Sequence, residues 1–229
     1  MSEHNEAHFT GSQMVRDIVI GMSDGLTVPF ALTAGLTGAI ASNTIIITAG
    51  MAEIVAGSIA MGLGGYLAGT TDYHHYHAER KREYWEVENW TEREKLEIRE
   101  ILSEYGISPE NQEGVVNDLA KNSDKWVDFM MRFELGLEEP EISQASKSAL
   151  VIALSYVIGG LVPLSAYFFT STPIQGLYIS VIVTLIALFT FGYIKSKLIG
   201  QSPILGAIKT TLIGAVASAA AFLIAKAIA

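Results

Sequence analysis

The chain has 229 residues, is 50% hydrophobic and carries a net charge of −9, and its apolar residues are bunched into runs too long for an ordinary soluble core. It has no cysteine, which excludes disulfides and thiolate metal sites. The acidic balance argues against nucleic acid as a partner, because a phosphate backbone attracts the opposite sign.

The charge is unevenly placed. No charged residue occurs from Gly25 to Ala52 or from Ser148 to Ile194, whereas 79–147 holds 18 acids and 10 bases. At about 20 residues per span, the uncharged runs mean several membrane helices. The expected fold is an all-α membrane protein of five spans with a cytoplasmic three-helix insertion between the second and third. Its parts are a tail with the first two spans (1–78), an acidic insertion (79–147) and the last three spans (148–229). The polar start lacks the basic-then-apolar pattern of a cleaved signal.

In chain order, the first span is expected over about Val15 to Ile40. It contains Asp24 inside DGLTVPFALTA, with Pro29 five residues on. An acid at membrane depth is expensive and is usually functional. The second span runs from about Thr44 to near His77. It carries Glu53, Gly57 and Met61 at steps of four, so a carboxylate and a thioether share one face. The remaining spans lie near Ala149–Phe169, Pro173–Ile194 and Pro203–Ala227, separated by turn signals, with Pro173 and Pro203 suited to a first helical turn. Small residues recur at steps of four, as in Gly21 and Gly25 or Gly206, Thr210, Gly214 and Ser218. Such faces serve close packing within one subunit or an interface between two. Lysine and arginine concentrate in the insertion and before the last span, which places the N-terminus and the insertion in the cytoplasm.

The insertion reads as helices. ThrGluArgGlu at 91–94 has the form of a capping box, Thr91 capping and Glu94 reaching back. That helix is expected to end at Gly106, the next to start at Pro109, and a third to cover about Asp124 to Leu135. Glu83 and Glu86 are three apart, as are Glu94 and Glu97, and Met130 and Met131 precede Glu134. These spacings allow five carboxylates and two thioethers to face one pocket, a set suited to divalent ions. The bland alternative is also open: glutamates on wet helix faces paired with Arg80, Arg93 and Arg99, and methionines in a core. His74, His75 and His77 stand where the second span leaves the membrane and suit an interfacial role.

DGLTVPFAL at 24–32, MGLGGYLA at 61–68, KRE at 81–83 and MRFELGLE at 131–138 together resemble the vacuolar iron transporter family, over about residues 8 to 229. The resemblance implies a homodimer of five-span subunits that exports Fe²⁺ from the cytosol in exchange for protons; the ligand types also admit Mn²⁺, Co²⁺ and Zn²⁺, and no prosthetic group is expected. It implies Asp24, Glu53 and Met61 as pathway ligands and Glu83, Glu86, Glu94, Glu97, Met130, Met131 and Glu134 as cytoplasmic metal ligands. The histidines match no motif of that family. The expected location is the plasma membrane of a prokaryote or the vacuolar membrane of a eukaryote. Two other functions compete: a membrane-anchored metal buffer or sensor, which has no need of intramembrane acids, and a di-iron oxidase, which lacks a Glu-x-x-His pair in the insertion.

Overall fold

The computed structural model describes residues 12–39 and 42–228. These residues form α1 (Ser12–Ala39), α2 (Asn43–Asn89), α3 (Thr91–Glu104), α4 (Pro109–Leu119), α5 (Ser123–Phe133), α6 (Ile142–Phe168), α7 (Pro173–Leu198) and α8 (Pro203–Ile228). Helices α1, α2, α6, α7 and α8 are long and apolar enough to cross a membrane. At 47 residues, α2 is about 70 Å long, more than twice the roughly 30 Å of a hydrocarbon core. Its last turns, charged from Glu79 onward, therefore lie beyond the apolar layer.

Two compact units divide the chain, one made of the residues up to Tyr66 with those from Ser146 onward, the other of Leu67–Ala145. In the first unit α1 packs against α7 and α8. It also meets α6 at a glycine crossing, where a Cβ on Gly159 would stand 2.9 Å from the Leu26 nitrogen and 3.0 Å from the Gly25 carbonyl carbon. The small-residue faces seen in the sequence are used inside the chain: Gly25 rests on the Tyr156 backbone, Gly35 on Ala221 and Gly206 on Ser196. Pro29 and Pro163 sit inside α1 and α6. Each removes a backbone donor, and each proline's own carbonyl gains a hydroxyl: Thr33 Oγ1 donates to Pro29 O at 2.9 Å and Ser180 Oγ to Pro163 O at 2.8 Å. Thr172 caps α7, with Pro173 in its first turn.

In the second unit, α3, α4, α5 and the end of α2 enclose a core that includes Tyr76, Val87, Ile98, Val116, Trp126, Val127, Met130 and Met131. The capping box expected at Thr91 does not form. Helix α3 begins after Trp90, and Thr91 Oγ1 donates back to the Val87 carbonyl at 2.8 Å. With α2 running almost directly into α3, the hydroxyl finds an acceptor one turn behind it, which leaves the Glu94 side chain to face Glu83. Gly106, at φ 77°, closes α3, with Ile107 N–H bonding Leu102 O at 3.0 Å. Helix α5 is capped by Asn122, whose side chain accepts from Lys125 N–H at 3.1 Å.

The α1–α6 crossing predicts a contrast between glycines. Gly159→Ala drives a methyl against backbone that cannot yield cheaply, and should destabilise the solubilised protein by about 1–3 kcal/mol. Gly114→Ala, on α4 with nothing within 4 Å, should be neutral or stabilising by up to about 1 kcal/mol. Thermal melts of both variants in detergent check this, and equal melting points would contradict the crossing.

Candidate metal centre

The second unit brings three carboxylates together. Glu83 comes from α2, Glu94 from α3 and Glu134 from the C-cap of α5. One oxygen from each lies within 4.8 Å of the others. Glu83 is 3% exposed and Glu94 2%, while Glu134 closes the group on its solvent side. Glu83 and Glu94 share a hydrogen bond, yet Glu83 Oε1 and Glu94 Oε2 are buried without a partner. Such oxygens are rare in folded proteins, and two of them, with a third carboxylate from exposed Glu134, converge from three helices into a ready cage for a hard cation.

Electrostatics agree with geometry. Burial pushes the Glu83 carboxyl up to about 8, helped by the charges of Glu134 and Glu94. Burial also raises Glu94, to about 7, with Glu97 adding to the effect. Glu134 is raised by burial and by Glu97 and Glu86, against the pull of Arg82 and Arg93. Like charges this close cannot all ionise unless something positive joins them.

The remaining expected ligands are placed differently. Glu86 and Glu97 flank the trio and are engaged by arginines: Arg82 Nε reaches Glu86 at 3.2 Å and Arg93 Nε reaches Glu97 at 3.1 Å. Met130 and Met131 are fully buried in the core, one turn before Glu134. Of the arginines expected to pair with these acids, Arg93 does so, whereas Arg80 binds Asp128 and Glu139 and Arg99 binds Glu113. Arg82, hidden in a run of three basic residues, is the partner of Glu86. His74 and His75 are exposed, and His77 is edge-on to Tyr73 at 4.3 Å; none belongs to the carboxylate group.

The first unit holds a second acidic group. Glu53 on α2 accepts a hydrogen bond from the Tyr156 hydroxyl of α6, while its other oxygen is buried and unpartnered. Asp24 on α1 is near enough for its charge to act on the same phenol. Gly57 makes the arrangement possible, since a Cβ there would stand 2.5 Å from the Tyr156 oxygen. Met61 lies half-buried two turns beyond Glu53. Tyr156 escaped the sequence reading because a tyrosine in an apolar helix carries no signal of its own; the gap at Gly57 is the one available clue.

Among the described residues, an all-helical fold with five membrane-length helices, one carboxylate cage and acids within the apolar helices has the makings of a membrane protein that handles cations. Comparison with known proteins agrees: a model of the VIT family matches residues 15–226, and the chain belongs to that family. It is 55% identical over 228 residues to vacuolar iron transporter 1 of Tulipa gesneriana, covering 100% of this chain and 92% of the relative. It is 53% identical to vacuolar iron transporter 1 of Arabidopsis thaliana, over 99% of this chain and 90% of the relative. It is 40% identical to Protein CCC1 of Saccharomyces cerevisiae, over 93% and 69%.

The raised carboxyls make the second unit sensitive to pH. Both Glu83 and Glu94 hold protons more tightly when folded than at the ordinary 4.5, so their contribution to stability is complete below about pH 4.5 and is lost as pH rises through about 7 and 8. With a chelator present, the melting temperature read by tryptophan fluorescence should fall between pH 5 and pH 8, and Glu83→Gln should flatten the fall. A wild-type profile that is level over this range would contradict the assignment.

Proposed function

We propose that the protein moves divalent iron out of the cytosol across a membrane in exchange for protons. The observation that carries this reading is the pair of acidic groups, each with buried carboxylate oxygens lacking a protein partner. Membership of a family whose relatives are named vacuolar iron transporters supplies the cargo.

In this reading the second unit is cytoplasmic and collects the ion. Glu83, Glu94 and Glu134 form the inner cage, Glu86 and Glu97 close on it, and Met130 and Met131 offer thioethers that favour a softer ion such as Fe²⁺ over Mg²⁺. The ion then passes to Asp24, Glu53 and Met61. A carboxylate that loses a divalent ion to the far side takes up a proton in its place, because burial disfavours the bare charge. Proton return is thereby coupled to metal export. Tyr156 holds Glu53 in position by donating to one oxygen, leaving the other for the cargo. Mn²⁺ shares the oxygen chemistry and is a second cargo. The functional assembly is a homodimer with the pathway acids of both subunits facing one another, in a vacuolar or plasma membrane.

The test is metal-resolved flux into proteoliposomes with and without an imposed pH gradient. Wild type should carry Fe²⁺ faster when the compartment receiving the metal is acidic. Asp24→Asn and Glu53→Gln should each cut flux by at least about tenfold, the scale of removing one buried charged ligand. Glu83→Gln should slow uptake at low Fe²⁺ and be overcome at high Fe²⁺. Flux that ignores the pH gradient would overturn proton exchange, and Fe²⁺ binding without any flux would mark the protein as a buffer.

A further inference from the structure

Two of the three helices that form the carboxylate cage repeat a five-residue pattern. Arg82-Glu83-Tyr84-Trp85-Glu86 on α2 and Arg93-Glu94-Lys95-Leu96-Glu97 on α3 share the form Arg-Glu-x-x-Glu. In each, the first glutamate is buried and enters the cage. In each, the arginine reaches forward four residues and its Nε donates to the second glutamate. The arginine side chains are 62% and 65% exposed, whereas the glutamates they hold are 14% and 23% exposed. The cations thus lean in from solvent over carboxylates that belong to the rim of the cage.

We infer that Arg82 and Arg93 are built-in competitors of the metal, each holding a rim carboxylate that a bound ion must win back. The inference rests on the reading of Glu83, Glu94 and Glu134 as a metal centre. Each arginine also has a second berth within its own turn. Arg82 Nη1 lies 3.3 Å from Glu79, and the Arg93 guanidinium lies 5.3 Å from the centroid of the Trp90 ring. Releasing Glu86 or Glu97 therefore leaves no cation stranded. A collector that passes its ion onward must bind well enough to fill and weakly enough to empty. Two tethered guanidiniums weaken the hold without removing a ligand.

The competition has a defined sign. Removing a positive competitor strengthens divalent binding, whereas removing a structural support weakens it. All three tryptophans of the chain, Trp85, Trp90 and Trp126, lie in this unit, so quenching of their fluorescence by Co²⁺ reads this centre rather than the acids of α1. The experiment titrates Co²⁺ into the purified full-length protein in detergent. Arg82→Gln and Arg93→Gln should each lower the apparent Kd by about two- to fivefold, the range expected for an exposed ion pair, and the double variant by roughly their product. The Arg82→Lys/Arg93→Lys double variant, which keeps the charge, should return toward wild type. Raising NaCl should weaken wild-type binding less than that of the double glutamine variant, because salt also screens the competitor. An unchanged or weaker Kd in the double glutamine variant, with circular dichroism showing a folded protein, would overturn the inference. Undiminished binding in Glu83→Gln/Glu94→Gln would instead overturn the metal centre itself, so the two failures are distinct.

Discussion

The arrangement depends on one constraint, the cost of taking a carboxylate out of water. Glu53, Glu83 and Glu94 each keep an oxygen buried with no protein donor against it. A carboxylate kept for stability alone would be surrounded by backbone amides or paired with an arginine. Here the protein supplies half of that compensation: one tyrosine hydroxyl for Glu53, and for Glu83 and Glu94 only each other. The other half has to arrive from outside, as a proton or as a metal ion. Alternation between those two visitors is what the proposed exchange of metal for protons would require.

The packing of each unit serves that placement. Glycines at 25 and 159 let α1 and α6 approach to backbone contact, which brings the Asp24 turn beside Tyr156. Gly57 clears the space through which the Tyr156 ring reaches Glu53. Any side chain at 57 would push the phenol away and leave both oxygens of Glu53 without a donor. In the second unit, the short turn at Trp90 keeps α2 and α3 nearly continuous and sets Glu83 against Glu94. The positive φ of Gly136 turns the chain just after α5, so that Glu134 ends its helix at the mouth of the cage.

Much of this was legible in the sequence, and what was not has physical reasons. Five spans follow from uncharged runs of membrane length, and glutamates at steps of three mark the faces that meet. Contacts between helices are harder to read, because a residue's partner across a crossing leaves no trace in its own neighbourhood. Tyr156 is such a case. Thr91 shows the opposite error: a local pattern fits a capping box, but its hydroxyl has an equally good acceptor in the carbonyl of Val87, and chain continuity decides between them. Arg82 was overlooked for a third reason, since a run of three basic residues beside a membrane helix already has an explanation in topology.

That triple-basic run carries two functions at once. Lys81 is exposed and Arg80 anchors α2 to α5 through Asp128 at 3.0 Å, while Arg82 turns toward the cage. The same logic separates the glutamates. Burial raises the carboxyls of Glu83 and Glu94, to about 8 and about 7, so an ion held as proposed would compete with protons there near neutral pH. Glu86 and Glu97 are each held by a guanidinium, a cation that keeps its charge across the physiological pH range. On the proposed reading, the tethered guanidiniums lower the affinity of the cage at any physiological pH, while protons compete with the ion at the buried pair.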